Sequence, residues 1–128
     1  MTARTDLFEA AKRAMDSSRA PFSKLKVGVA LKGTSGRVYP GANIETASLG
    51  LTICAERVAL FSAVAAGEKA FEEVAIVSSA DEPITPCGAC RQVMWELCGD
   101  IIVTTYNVKG DKREFKLSEL MPFPFEKF

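Results

Sequence analysis

The chain is 128 residues long, carries 16 Lys and Arg against 16 Asp and Glu, and has no histidine. Zero net charge argues against a nucleic-acid surface or an anionic membrane as the partner, since both call for a basic excess. The missing imidazole excludes Ser-His and Cys-His nucleophiles and leaves acid–base work to Glu, Asp, Lys, Tyr or Cys. At 48% apolar and 25% charged residues the composition is that of a folded chain, long enough for one domain, 1–128. No apolar run approaches the ~20 residues of a membrane helix. The N-terminal stretch mixes charge with apolar side chains and has no signal-like core, so the expected compartment is the cytoplasm, where thiols stay reduced.

No repeat, low-complexity tract or linker divides the chain. Residues 5–16 are predicted as an amphipathic helix. Leu7, Phe8, Ala11, Ala14 and Met15 recur at helical spacing, and Thr5 or Asp6 is placed to cap the start. Residues 17–23, with Pro21, read as a loop. Residues 24–32 alternate as a strand, with Leu25, Val27, Val29 and Leu31 on one face and Gly28 and Ala30 small on the other. Residues 33–36 form a turn, and 37–42 complete a hairpin. The irregular stretch 43–53 carries Asn43, Glu45, Thr46 and Ser48. Residues 54–66 are Ala-rich, apolar on most sides and stopped by Gly67, which predicts a buried helix. Residues 73–78 are nearly all apolar, as in a strand covered on both faces. Pro86 opens a helix from Cys87 to about Cys98, ended by Gly99. Residues 101–106 and 112–117 are predicted strands, and 118–121 a helical turn before Pro122. This order predicts a three-layer α/β domain with a mixed sheet of about five strands: an antiparallel hairpin, then crossover helices onto parallel strands.

Cys54-Ala55-Glu56 and Pro86-Cys87-Gly88-Ala89-Cys90 each lie where a loop enters a predicted helix. A Cys-x-x-Cys at a helix start aims both sulfurs to one side, and the dipole there favours thiolates. Cys54, also at a helix start, would add a third. Three protein ligands with an open fourth position is the arrangement of catalytic zinc, and a water held there has a pKa near 7. Glu56, two residues past Cys54, faces such a site without ligating and is the candidate proton shuttle. Three thiolates on a divalent ion leave a net negative charge. Arg57 is the candidate to offset it by donating to a sulfur, and Arg91 is a second candidate for the same task. Other readings stay open on these residues alone. The thiols are redox or core groups; Cys98, otherwise a core thiol, completes a closed structural zinc site; Glu56 is a first-turn acid favoured by the dipole; Asn43 and Glu45 cap a loop; Arg57 makes a surface ion pair.

Cys54-Ala55-Glu56-Arg57, followed downstream by Pro86-Cys87-Gly88-Ala89-Cys90-Arg91-Gln92-Val93, resembles the cytidine deaminase family of zinc enzymes. Ala20-Pro21-Phe22-Ser23-Lys24, Val27-Gly28, Gly41-Ala42-Asn43-Ile44-Glu45 and the segment from Pro122 to Phe125 resemble family segments in the same order. The resemblance implies an α/β/α cytidine-deaminase-like fold. The activity it implies is hydrolytic deamination of cytidine and 2'-deoxycytidine to uridine and 2'-deoxyuridine, with release of ammonia, in pyrimidine salvage. It implies one Zn2+ per chain on Cys54, Cys87 and Cys90, with Glu56 as the shuttle and Arg57 tuning the thiolates. Asn43 and Glu45 would bond the ribose hydroxyls, and Leu25, Ala55 and Phe125 would complete the substrate contacts. Three cysteines without histidine is similar to the small homotetrameric branch, in which a C-terminal Phe, here Phe125, reaches a neighbouring subunit's site. Phe123, Phe125 and Phe128 crowd the last six residues, as a subunit interface would require. The expected partner is a nucleoside, with no nucleic acid and no membrane.

The chain departs from the family at Leu25, where an aromatic commonly stacks on the base, at Thr46 in place of Asn, and at Leu49 in place of an aromatic. A more aliphatic, roomier base wall implies tolerance of cytosines substituted at C5 or on the exocyclic nitrogen. Rival readings are a deaminase of blasticidin-type antibiotics, free cytosine or a nucleotide, a non-enzymatic zinc module, and a nucleic-acid-editing deaminase. The Asn43–Glu45 segment favours a ribose over the antibiotic. Zero net charge disfavours a polynucleotide.

Overall fold

The structure is a computed structural model that describes residues 3–126. Helix α1 (Ala3–Ala14) runs into a 3-10 turn at Met15–Ser17. It begins before Thr5 and Asp6, so the expected start at these residues lies inside the helix. Strands β1 (Val27–Gly33) and β2 (Val38–Ala42) form the hairpin. The first strand starts later than its alternation predicts because Lys24 has φ 64°, a left-handed conformation that no strand carries. Helix α2 (Ala55–Ala65), β3 (Phe71–Ser78), α3 (Gly88–Cys98), β4 (Ile102–Asn107), β5 (Lys112–Lys116) and the short α4 (Leu117–Leu120) follow.

The five strands lie in the order β2-β1-β3-β4-β5. Both β2 and β3 pair antiparallel with β1, and β4 pairs parallel with β3. Strands β2, β3 and β4 therefore run the same way, and α2 and α3 are the crossovers between them. Both crossovers step in the same direction across the sheet. A constant right-handed sense then places both helices on one face. The core shows this. Ala55, Ala59, Leu60 and Ala63 of α2 and Cys90 and Met94 of α3 pack with Val29, Leu31, Val74, Ile76 and Val103. On the other face, Leu7 and Ala11 of α1 pack on Ala30, Ala75, Val77 and Tyr106. The result is the three-layer arrangement expected, with β3 buried on both sides from Val74 to Ser78.

Helix α2 departs from the expectation of full burial. One stripe is covered, but Phe61 and Val64 are 47% and 44% exposed. An Ala-rich sequence apolar on most sides carries no marker of which side the sheet takes. Two glycines in the hairpin set how close the layers come. A Cβ on Gly28 would strike the backbone of Ala11 and Met15 on the α1 side, and one on Gly41 would strike Ala55 and Ala59 on the α2 side. The chain thus presses α2, and the residues at its start, directly onto the strand backbone. Among the described residues no helix is long and apolar enough to cross a membrane. Phe128 lies outside the described residues.

Candidate active site

Helices α2 and α3 both begin at carboxyl ends of parallel strands, where open α/β sheets form their crevices. Cys54 is the extended residue before α2, Cys87 the extended residue before α3, and Cys90 lies in the first turn of α3. These caps bring the three sulfurs together. Cys54 Sγ is 3.7 Å from Cys87 Sγ, which is 3.4 Å from Cys90 Sγ. All three lie within 4.8 Å of one another and form a group able to hold a metal ion. A tetrahedral zinc with Zn–S of about 2.3 Å spaces its sulfurs about 3.8 Å apart, so the set has the right span for that ion. Cys98 is not part of it. Burial pushes the Cys98 thiol up to about 12, which keeps it protonated and inert, and the closed four-cysteine site is not formed.

Cys54 and Cys90 titrate together. Cys54 is lowered to about 5, first by a hydrogen bond with Cys90 and further by Arg57. The same hydrogen bond and burial push Cys90 up. Arg57 Nη2 donates to Cys54 Sγ at 3.4 Å, while Arg57 Nε is buried without a hydrogen-bond partner among the described residues. A guanidinium with an unmet donor beside three sulfurs suits a site whose ligands all carry charge, which is the state a bound cation maintains.

Arg91 does not share that task. Its Nε donates to Pro86 O at 2.7 Å, Nη1 to Leu120 O at 2.9 Å and Nη2 to Thr85 Oγ1 at 2.9 Å. The helix directs this side chain back over the loop before Cys87 and away from the sulfurs.

Glu56, in the first turn of α2, is 7% exposed. Burial pushes its carboxyl up to about 7, with a further upward push from the Cys54 thiolate. A carboxyl in this range takes and gives protons at neutral pH. It lines a cavity of about 360 Å³ together with Cys54, Ala55, Cys87, Leu25, Asn43 and Glu45. The volume lies within the range of small-molecule sites. Ile53, Ile76, Ile84 and Thr85 supply more of the wall.

Asn43 and Glu45 are already engaged. Asn43 Oδ1 accepts from Val27 N at 2.9 Å and from Ser18 Oγ, and its Nδ2 donates to Leu25 O at 2.8 Å. That leaves one amide N–H for a ligand. Glu45 Oε1 accepts from Phe22 N and Ser23 N, each at 3.0 Å, and Oε2 accepts from Ser23 Oγ. The Ser23 hydroxyl holds the Glu45 carboxyl below its usual range, with backbone N–H bonds adding to the effect. Sequence reasoning passed over Ser23, which both clamps Glu45 and lines the cavity. Its signal was its place beside Pro21 in a turn, where a hydroxyl bonds locally.

Three other expected residues separate. Leu25 lines the cavity; Leu49 is 66% exposed and does not line it; Thr46 donates its hydroxyl to Ser48 O at 2.7 Å. Phe125 lies outside the lining of this cavity and is 61% exposed. Its backbone N donates to Gln92 Oε1 at 3.0 Å, and its carbonyl accepts from Gln92 Nε2 at 2.6 Å.

Residues 1–106 match the family described as the cytidine and deoxycytidylate deaminase zinc-binding region. The chain belongs to this family. The match spans Asn43, Glu45, the 54–57 segment, Cys87 and Cys90. A cytidine deaminase of Halalkalibacterium halodurans is 47% identical over 120 residues, covering 93% of this chain and 91% of the relative. One from Sporosarcina psychrophila is 42% identical over 122 residues, covering 94% and 90%. The crystal structure of cytidine deaminase from Burkholderia pseudomallei superposes with a TM-score of 0.91 at 48% identity, covering 98% of this chain and 100% of that one. The chain is thus a zinc-binding deaminase, and the three-layer fold with its mixed five-stranded sheet is that of the solved relatives.

Proposed function

We propose that this chain, as one domain over 1–128, deaminates cytidine and 2'-deoxycytidine to uridine and 2'-deoxyuridine, releasing ammonia, in cytoplasmic pyrimidine salvage. The observation that carries the reading is Glu56. A buried carboxyl lies two residues from Cys54 of the three-sulfur set, at the wall of a cavity that also holds Asn43 and Glu45.

Cys54, Cys87 and Cys90 would hold zinc, whose bound form supplies activation of a water at neutral pH. The chain's own residues do the rest. Glu56 takes a proton from the water that adds to C4 of the base and passes it to ring nitrogen N3. It then takes the proton of the new C4 hydroxyl and gives it to the exocyclic nitrogen; the C4–N bond breaks, C4 becomes the carbonyl of the product, and ammonia leaves. Arg57 offsets the charge of the sulfurs. The remaining N–H of Asn43 and the ionised Glu45 bond the ribose hydroxyls, with Ser23 and the backbone of Val27 holding both groups in place beforehand. A pre-positioned donor and acceptor cost no ordering when substrate arrives. Ala55, fully buried behind the base, and Leu25 complete the wall. Leu25 is aliphatic where an aromatic plate would fill space, which supports turnover of cytidines substituted at C5 or N4. The active form is a homotetramer in which Phe125 enters a neighbour's cavity. The exposed Phe61 and Val64 and the outward Phe123, 94% exposed, support a buried assembly surface.

The test follows conversion of cytidine to uridine by its ultraviolet change, using protein of measured zinc content, beside Glu56→Gln. Conversion by the parent and loss in the variant is the expected result. A parent that carries one zinc per chain and converts neither nucleoside overturns the substrate assignment.

A further inference from the structure

Between β3 and α3 the chain crosses residues 79–87 without regular structure. This loop carries Ile84 and Thr85 of the cavity wall and ends at Cys87. Its early part is tied by Ser79 N to Lys26 O at 2.9 Å and by Asn107 Nδ2 to Asp81 O at 2.8 Å. For residues 82–86, the hydrogen bonds to the rest of the molecule, among the described residues, come from one side chain, Arg91. The Pro86 it bonds is fully buried, so that carbonyl has no water in reserve. The third donor of the fork takes Leu120 O, at the last residue of α4.

We infer that Arg91 is a positioning residue: its guanidinium fixes the height of the 84–87 loop over the sulfur set and couples that loop to the C-terminal segment. The inference deepens the proposed function and rests on it for its kinetic consequence. Three acceptors from two segments, the loop at Thr85–Pro86 and the end of α4 at Leu120, converge on one planar fork, and that geometry needs Arg. A Lys ammonium has the charge but cannot reach a carbonyl, a hydroxyl and a second carbonyl along fixed directions. Cys87 follows Pro86 directly and is the exposed member of the set. Loosening of the loop therefore reaches the metal through Cys87 first, while Cys54 and Cys90 stay anchored in the core. The same loosening moves Thr85 in the cavity wall, so substrate binding and metal retention respond together.

The experiment measures zinc release from the holoenzyme to a coloured chelator, with KM and kcat for cytidine, in the parent, Arg91→Ala, Arg91→Lys and Thr85→Val. Arg91→Ala is expected to release zinc about 10- to 100-fold faster, the usual scale for losing a group that orients a ligand, and to raise KM. Arg91→Lys should not restore either value. Thr85→Val keeps the shape and removes one acceptor, so it should accelerate release to a smaller degree. An Arg91→Ala protein that lowers the melting temperature but keeps the parent's release rate and KM overturns the inference. If Arg91→Ala cannot be purified folded, Thr85→Val at the parent's release rate overturns it equally. A parent inactive on cytidine would refute the proposed substrate, yet zinc release would still decide the role of Arg91.

Discussion

Gly41→Ala tests how the fold positions the chemistry. The Cβ it adds would press closest on Ala55 O and sit 2.6 Å from Ala59 N and 2.8 Å from Ala59 Cβ, all on α2. Opening the 2.6 Å approach to an ordinary separation of about 3.5 Å needs roughly 0.9 Å of movement between β2 and α2. The helix start carries Cys54, Ala55 and Glu56, so any retreat of α2 carries the shuttle with it. Displacement of a catalytic group by about 1 Å costs about 100-fold in rate. Gly28→Ala is the control. Its Cβ would press hardest on Ala11 O and Met15 N and meet Met15 Cα at 2.8 Å, on the opposite face, where α1 carries no site residue. Both substitutions overpack and should destabilise by about 1–3 kcal/mol. Only Gly41→Ala should also lower kcat by one to two orders of magnitude at full zinc loading. Thermal unfolding and steady-state kinetics on cytidine, run on both variants with zinc quantified, separate the two effects. Equal losses of kcat in both variants, or a parent-like kcat in Gly41→Ala, would refute the reasoning.

Glu56→Gln keeps shape and removes the exchangeable proton; kcat should fall by about 100- to 10,000-fold with the zinc content unchanged, as read by single-turnover conversion and metal analysis. Cys87→Ser should lose zinc to a chelator, whereas Cys98→Ser, outside the sulfur set, should keep it; equal retention in both would place the metal elsewhere. Ser23→Ala removes the first cause holding the Glu45 carboxyl below its usual range. Because the folded value lies below the unfolded one, the Ser23 contribution is present above the unfolded pKa of about 4.3 and fades as pH falls through the folded value. The variant should therefore be less stable than the parent at pH 7 and converge with it in acid, and a stability gap that stays constant with pH would contradict this.

Much of the layer order was legible because its signals are local. Val27, Val29 and Leu31 alternate, residues 74–77 form an unbroken apolar run, and Gly67 and Gly99 follow the helices they were expected to stop. The sulfur set was legible for the same reason: each cysteine occupies a helix start, and helix starts are read from a few neighbouring residues. What escaped depended on partners distant in sequence. The start of β1 was misplaced because alternation continues through Leu25 while Lys24 turns left-handed. Ser23 acquired its role only when Glu45 was folded beside it. The exposed face of α2 was hidden in a composition that offers the same alanines to every side.

The two arginines show the limit most clearly. Each follows a cysteine motif at the start of a helix, and from sequence each was a candidate to donate to sulfur. Side chains in an α-helix lean toward its N-terminus, so both reach back over the turn that precedes them. Arg57 lies three residues after Cys54 and finds that residue's sulfur. Arg91 lies four after Cys87, reaches further back, and meets the Pro86 carbonyl and the Thr85 hydroxyl. One residue of spacing thus divides two tasks that the site needs separately. One arginine donates to a sulfur of the set, and the other bonds the loop that leads into Cys87.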